Sequence, residues 1–343
     1  MSKPKPAAVR YLMPPVPLGE PVEVAPGILW LRLPLPFALD HVNLWALEED
    51  DGWCLIDTGY DTEAIRAIWH ELFAGPLAKR PVTRILATHM HPDHIGLAGW
   101  LLERCGAEFL TTQAEWLAAR MLWLDDSDGL LDVYHRFYSR AGLEQGLVEE
   151  LKQRRSAYRT AVTPVPPSFR RLHDGDVLTI GGRFWQVMIG QGHSPEHVSL
   201  YCPELGILIA GDQVLPRISP NVSVWPSSPE ADPLGEYLTS LPMFAPLPAD
   251  VLVLPSHGRP FRGLAGRVAE LAAHHDDRLD ETLAACRRPA TVREVTTALF
   301  PRALDRHQMM FAVGETVAHL NRLVATGDIG RALEKDVWRF TAD

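Results

Sequence analysis

The sequence is poor in cysteine, with four in 343 residues. Cys54, Cys105, Cys202 and Cys286 stand far apart and form no C-x-x-C pair, which excludes a disulfide framework and a thiolate metal knuckle. A reducing cytoplasm is the expected setting, with these thiols buried as small apolar groups. Long apolar runs are missing as well: no stretch approaches 18 apolar residues free of charge. The N-terminus (MSKPKPAAVRYLMPPVP) has no apolar h-region, so neither a membrane span nor an export signal is read. Basic charge is in deficit, since 33 Lys and Arg against 43 Asp and Glu leave a formal net charge of −10. That balance argues against a general nucleic-acid binder or a polybasic membrane anchor, and for small-molecule partners. No G-x-S-x-G elbow offers a serine nucleophile. What is present, 46% hydrophobic and 22% charged residues, is the make-up of a soluble globular protein.

Short β-branched or aromatic runs predict strands over Ile28 to Leu33, Val42 to Leu47, Trp53 to Ile56, Arg84 to Ala87, Phe184 to Ile189, Ser199 to Cys202, Ile207 to Ala210 and Val251 to Leu254. Helical patterns over Thr62 to Phe73 and Ile95 to Cys105 make the architecture mixed α/β. Residues 1–21 are proline-rich and read as an extended surface arm, and 22–287 as one large catalytic domain. Within it, about 111–160 reads as a helical insertion, a pocket wall beside the main site, whose aromatics (Trp116, Trp123, Tyr134, Phe137, Tyr138) are assigned to core packing. A helix from Leu264 to Cys286 leads to a module at 288–343. There Thr291 caps a helix with Glu294 three residues on, a second helix covers Val313 to Ala325, and Gly327 to Phe340 reads as a two-stranded ribbon. Helix, helix and ribbon suggest a winged-helix-like module. From Thr291 on, its seven bases cancel its seven acids, so packing or homodimer formation is a better use for it than gripping phosphates.

The densest chemistry is THMHPDH, Thr88 to His94, directly after a predicted strand. Three imidazoles and a carboxylate in so short a loop suit a first-row divalent metal. His193 (GQGHSPEH), Asp212 (IAGDQ) and His257 (LPSHG) also follow predicted strands, where loops of an α/β scaffold converge on one crevice. Five histidines and two aspartates are too many for one tetrahedral ion and right for two ions sharing a carboxylate. His197, four residues after His193, is expected to orient a ligand. His41, at a strand start, is a weaker candidate for the rim, and His173 and His319 are given no role.

With THMHPDH, GHSPEH (Gly192 to His197), AGD (Ala210 to Asp212), SHG (Ser256 to Gly258) and LIDTG (Leu55 to Gly59) all in order, the chain resembles the metallo-β-lactamase superfamily, and within it the glyoxalase II-like hydrolases. The resemblance covers roughly the first 270 residues. It implies a four-layer αβ/βα sandwich with the site at one edge of two sheets. It also implies that His89, His91 and His193 hold one metal, that Asp93, His94 and His257 hold the other, and that Asp212 bridges. Asp57, by the same resemblance, supports the metal loops through hydrogen bonds; a turn-forming role beside Gly59 is the alternative.

The expected cofactor is a pair of divalent ions, Zn2+ first, with Fe or Mn accepted by the same donors. Such a pair would lower the pKa of a shared water toward neutrality, and the resulting hydroxide would attack a thioester carbonyl, Asp93 or Asp212 helping the leaving group depart. Arg259 and Arg262, just past His257, are expected to receive a carboxylate or phosphate of the substrate. The alternatives are a lactone or ester hydrolase and, from another class, a ribonuclease using the winged-helix-like module. A di-iron electron-transfer protein is disfavoured, because that branch replaces the histidine at position 91 by glutamate.

Overall fold

The computed structural model describes residues 9–153 and 158–342. Positions 154–157, within the predicted insertion, and 1–8, within the predicted arm, lie outside the described residues. Two seven-stranded sheets carry the fold. In the first, β2 (Val22–Ala25), β3 (Ile28–Pro34), β4 (His41–Glu48), β5 (Trp53–Ile56), β6 (Val82–Leu86), β7 (Glu108–Thr111) and β8 (Arg170–Arg171) lie side by side in chain order. In the second the order is β1 (Arg10–Tyr11), β14 (Phe261–Arg262), β13 (Leu252–Pro255), β12 (Ile207–Gly211), β11 (His197–Cys202), β10 (Arg183–Gly190) and β9 (Val177–Ile180). In both, antiparallel pairing gives way to parallel pairing, at β5 against β6 and at β12 against β13.

Alternation along each strand sorts the side chains into layers. Trp30, Trp45, Cys54, Ile56 and Leu86 of the first sheet meet Trp185, Val187, Val198, Leu200 and Ile209 of the second in one buried cluster between the sheets. The opposite faces are also apolar and need cover. Leu31, Leu44, Leu55 and Ile85 are covered by α1 (Glu63–Ala74), α3 (Ala98–Cys105) and α4 (Gln113–Leu124). Leu208, Ala210 and Val253 are covered by α7 (Pro233–Ser240), α8 (Leu264–Ala285), α9 (Val292–Leu299) and α10 (Arg306–Thr326). This is the expected four-layer αβ/βα sandwich. All four cysteines are free, three of them buried. Among the described residues no helix is long and apolar enough to cross a membrane.

Three expectations change in detail. The helix read over Ile95 to Cys105 is broken into α2 (Pro92–Ile95) and α3, because Leu97 leaves the helical region (φ −99°, ψ 10°) and its N–H turns to the Gly59 carbonyl (3.1 Å); Gly96 lets that stretch of chain approach, since a Cβ there would lie 2.5 Å from the Gly59 carbonyl oxygen. The extended N-terminal segment is no free arm. It adds β1 to the open edge of β14, and Val16 is buried. The insertion is three helices, α4, α5 (Asp128–Arg140) and α6 (Gln145–Gln153), with Phe137 and Tyr138 buried as core. At the C-terminus α9 starts on the capping box of Thr291 and Glu294. The ribbon of β15 (Ile329–Glu334) and β16 (Val337–Ala342) turns through Lys335 and Asp336, both at positive φ as a two-residue hairpin requires.

The loops that leave the C-terminal ends of β5, β6, β10, β12 and β13 gather on one edge, where the two sheets are tied to each other. Asn43 of β4 is the main tie. Its backbone N–H donates to the Ser256 carbonyl (2.6 Å), its side-chain amide to the Pro255 (2.8 Å) and Gly258 (3.0 Å) carbonyls, and its side-chain oxygen accepts the Trp30 indole N–H (2.8 Å). Replacing Asn43 with Ala leaves three buried polar groups unpaired, so it is expected to lower unfolding free energy by about 3 kcal/mol, read as a reduced denaturant midpoint at unchanged slope.

Candidate metal centre

Four of the histidines at the edge are aimed by an outer nitrogen. His94 Nδ1 faces Asp57 Oδ2 (2.8 Å), His193 Nδ1 the Asn221 carbonyl (2.8 Å) and His257 Nδ1 the His41 carbonyl (2.8 Å). Carboxylate and carbonyl oxygens only accept, so each Nδ1 carries a proton and each Nε2 is the ring atom aimed inward. His89 follows suit. Thr88 Oγ1 gives its one proton to Asp57 (2.9 Å to Oδ2) and accepts from His89 Nδ1 (3.0 Å). His91, on the same loop, points inward through Nδ1 instead.

The inward atoms converge. His89 Nε2, His91 Nδ1 and His193 Nε2 form a triangle with sides of 2.9, 3.1 and 3.2 Å. Beside it, Asp93 Oδ2 lies 3.5 Å from His94 Nε2 and 3.4 Å from His257 Nε2. Asp212 Oδ2 stands between the two groups, 3.5 Å from His193 Nε2, 3.7 Å from His94 Nε2 and 3.4 Å from His257 Nε2. Three overlapping sets, His89/His91/His193, His89/His94/Asp212 and Asp93/His94/His257, each keep their donor atoms within 4.8 Å of one another. Nitrogens bound at about 2.05 Å around a tetrahedral ion stand about 3.3 Å apart, so these spacings fit a divalent cation. Two more observations agree: His94 Nε2 and Asp212 Oδ1 are buried with no hydrogen-bond partner, and the donor set is all imidazole and carboxylate.

All seven residues predicted as ligands thus meet at one edge. Asp57 sits in the left-handed region (φ 66°) and there accepts from the Thr88 backbone N–H (2.7 Å) as well as from His94, joining the LIDTG and THMHPDH loops. His197 does not face inward. Its Nε2 accepts the Asp212 backbone N–H (3.0 Å), which fixes the AGD turn, and Gly211 is required there because a Cβ would lie 2.5 Å from the His197 ring. His41 holds the His257 loop twice, by its carbonyl and by Nε2 accepting the Gly258 N–H (2.9 Å). Arg259 stacks over the Tyr11 ring (3.8 Å), and Arg262 lies in β14 opposite Arg10.

Sequence reasoning missed Glu115. From α4 its buried carboxylate accepts the Met90 N–H (2.8 Å), the Ser194 hydroxyl (2.7 Å) and the Glu196 N–H (2.7 Å), clamping the THMHPDH loop to the GHSPEH loop. The Tyr158 hydroxyl adds a bond to the Met90 carbonyl (2.5 Å). A single acid within the otherwise apolar start of α4 (QAEWLAA) was the available signal.

Electrostatics divide the site. Burial and the charge of His193 push His91 down to about 3, and burial holds His89 and His193 low as well. Burial also opposes charge on His257, but Asp212 and Asp93 outweigh it and push it up to about 10; His94 is raised in the same way by Asp93, Asp57 and Asp212. Asp93 and Asp212, despite burial, are held well below the usual carboxylate range by His94 and His257.

Residues 38–257 match the family described as the Metallo-beta-lactamase superfamily, and residues 279–343 match its "Metallo-beta-lactamase-like, C-terminal domain". The chain belongs to the metallo-beta-lactamase superfamily. Among solved structures of this superfamily, a beta-lactamase domain protein from Burkholderia ambifaria is 42% identical, with a TM-score of 0.90 and 98% of each chain covered. The Bacillus subtilis (strain 168) protein named "Probable metallo-hydrolase YqjP" is 26% identical over 87% of this chain and 92% of its own length. Human acyl-coenzyme A thioesterase MBLAC2 is 27% identical over 55% of this chain and 63% of its own length. This superfamily member is therefore a metallo-hydrolase.

Two outcomes follow for the superfamily site. Glu115→Ala orphans three donors and is expected to cost about 3 kcal/mol of stability and to weaken zinc binding by about 10-fold or more, measured by chemical unfolding and chelator competition. Zinc must displace protons from His94 and His257 but none from His89, His91 and His193. Raising the pH from 6 to 8 should therefore strengthen binding of one equivalent about tenfold or more per pH unit and leave the other nearly flat, which equal slopes in zinc titrations would contradict.

Proposed function

We propose that this chain is a dinuclear hydrolase of the glyoxalase II-like kind, cleaving a small-molecule thioester, with lactones and other esters as the near alternative. The observation that carries this reading is the position of Asp212 between two donor groups, each of which supplies three further side chains. Divalent ions in those groups, zinc first, would supply Lewis acidity toward a carbonyl oxygen and a water of lowered pKa. The protein's own part is positioning and proton handling. Asp93, 19% exposed where Asp212 is buried, is the carboxylate best placed by position to pass the proton of the attacking water to the leaving group. Asp212, more deeply buried, fixes the two halves of the site relative to each other. A thiolate leaving group needs little acid assistance, since a thiol's pKa is about 8.5.

The walls favour an acyl group. The Trp225 ring lies roughly parallel to His91, with centroids 6.3 Å apart. On the other side Tyr60, its hydroxyl raised by burial and then by the charge of Asp93, meets Phe37 edge-on at 5.4 Å. Arg262 and Arg10, opposite each other across the β1–β14 pair, set like charges side by side that an anionic carrier such as a coenzyme A or glutathione moiety would neutralise, with Arg259 stacked on Tyr11 nearby in sequence. The thioesterase activity in the name of MBLAC2 supports the same substrate class. The C-terminal segment is read as winged-helix-like and as a packing module, since its balanced charge offers nucleic acid no grip.

The test is a panel of acyl-coenzyme A and acyl-glutathione thioesters, lactones, carboxylic esters and RNA, assayed with zinc-, iron- and manganese-loaded protein. Thioester cleavage that His91→Ala lowers by about 10³-fold or more is expected; cleavage of RNA alone would overturn the proposal. Trp225→Ala should raise KM for long acyl chains about tenfold with kcat nearly kept, and Arg259→Ala with Arg262→Ala should do the same for anionic thioesters while sparing neutral esters.

A further inference from the structure

Residues 213–232, between Asp212 and α7, form no helix or strand, yet they carry the Asn221 carbonyl that fixes His193. With no ladder of its own, this segment must take its shape from a neighbour. At its start the neighbour is α8, whose Arg267 donates to the Leu215 (2.6 Å) and Ile218 (2.8 Å) carbonyls; from Asn221 onward it is α10, in the C-terminal segment. The Val224 N–H donates to the Gly314 carbonyl (3.1 Å), and a Cβ on Gly314 would lie 3.0 Å from both Cβ and Oγ of Ser223, so helix backbone and loop abut. The Ser223 hydroxyl in turn donates to the Asn221 side-chain oxygen (2.6 Å), and the Glu315 carboxyl of α10, pushed up to about 7 by burial, is lowered in part by the Asn221 side chain acting on it as a hydrogen-bond donor. Two turns further along the same face, the Asn321 amide donates to the carbonyls of Pro229 (3.0 Å) and Ala231 (2.8 Å), and Arg322 pairs with Asp232 (3.1 Å). The stretch from Ser223 to Asp232 is thus held along one face of α10.

We infer that α10 is a positioning element of the metal centre: Glu315, through the Asn221 side chain, fixes the Asn221 carbonyl and with it the direction of the His193 lone pair. Glu315 is a positioning residue, acting through Asn221 on His193. The C-terminal segment then works on one donor group only, His89/His91/His193, and leaves Asp93/His94/His257 untouched. This inference rests on the reading of those residues as two ligand groups and goes beyond it by assigning a role to the C-terminal helix.

The experiment titrates chelator-stripped full-length protein with zinc against a chromophoric competitor, in the wild type, Glu315→Ala, Glu315→Gln and His91→Ala. The equivalent lost in His91→Ala marks the three-histidine group. In Glu315→Ala that equivalent is expected to weaken by about 10- to 100-fold, the range seen when an outer partner of a metal ligand is removed, while the other stays within about twofold. Glu315→Gln, which keeps an oxygen to accept the Asn221 amide, should restore most of the loss. Thermal unfolding of the metal-free variants shows whether each is folded. Equal weakening of both equivalents, unchanged affinity of both, or a Gln variant as impaired as the Ala variant would overturn the role of α10. A wild type that takes up two equivalents keeps the ligand reading standing in all of those cases; a wild type that takes up none removes the ligand reading and this inference with it.

Discussion

Three imidazole nitrogens 2.9 to 3.2 Å apart, at least two of them bare acceptors, repel one another unless a cation lies among them. Much of the architecture at this edge serves to hold that unfavourable convergence in place. Four of the five rings, His89, His94, His193 and His257, are prevented from rotating away by a bond on the outer nitrogen, and the partners are Thr88, Asp57, the Asn221 carbonyl and the His41 carbonyl. Fixing the tautomers in this way turns the edge into a preorganised ligand set. Burial of Asp212 and His94 with unpartnered atoms would couple folding to ion uptake, because the native state alone collects these groups and a cation among them would satisfy both.

Strands deliver the ligands, but loops at strand ends have no ladder to define them. Elements outside the two sheets supply the missing bonds. Glu115 from the insertion closes the THMHPDH loop on the GHSPEH loop, and α10 from the C-terminal segment shapes the loop behind His193. Asn43 and His41 do the same for the His257 loop from inside the first sheet. The two additions to the sandwich are therefore both in contact with residues that orient the site, which gives a physical reason for their joining the same apolar layers as the sheets.

How much of this could be read beforehand follows from sequence separation. THMHPDH concentrates four donors in one loop, so local spacing alone announces the chemistry; the other three donors follow apolar runs whose strand character is plain from β-branched content. Asn43 is different. Its partners lie 212 and 215 residues away and are carbonyls, which every residue possesses, so no side-chain pattern marks them. Asn221 is equally silent, because the atom that matters is its backbone oxygen. Glu115 left a faint trace as a lone acid in an apolar helix face, but its three partners come from two distant loops. The unbroken helix expected over Ile95 to Cys105 failed for a related reason: periodicity sees side chains, whereas the break follows the Gly59 carbonyl, which takes the Leu97 N–H and leaves no room for a Cβ at position 96. The N-terminal segment was read correctly as extended, yet composition cannot reveal that β14 leaves an open edge for Arg10 and Tyr11 to join.

The same arrangement makes the site polar from one side to the other. His89, His91 and His193 contribute no charge, since burial keeps all three neutral. Asp93 and Asp212 place their negative charge toward His94 and His257, strongly enough to hold both imidazoles protonated in the metal-free protein. A divalent cation among neutral imidazoles keeps more of its positive field than one facing carboxylates. In the proposed reaction the His91 side, walled by Trp225, would be where a carbonyl oxygen gains most from that field, with Asp93 and Tyr60 on the opposite side. An acyl group entering between the aromatic walls would meet electron withdrawal at one end and a carboxylate at the other, the order that addition to a carbonyl followed by departure of its leaving group requires.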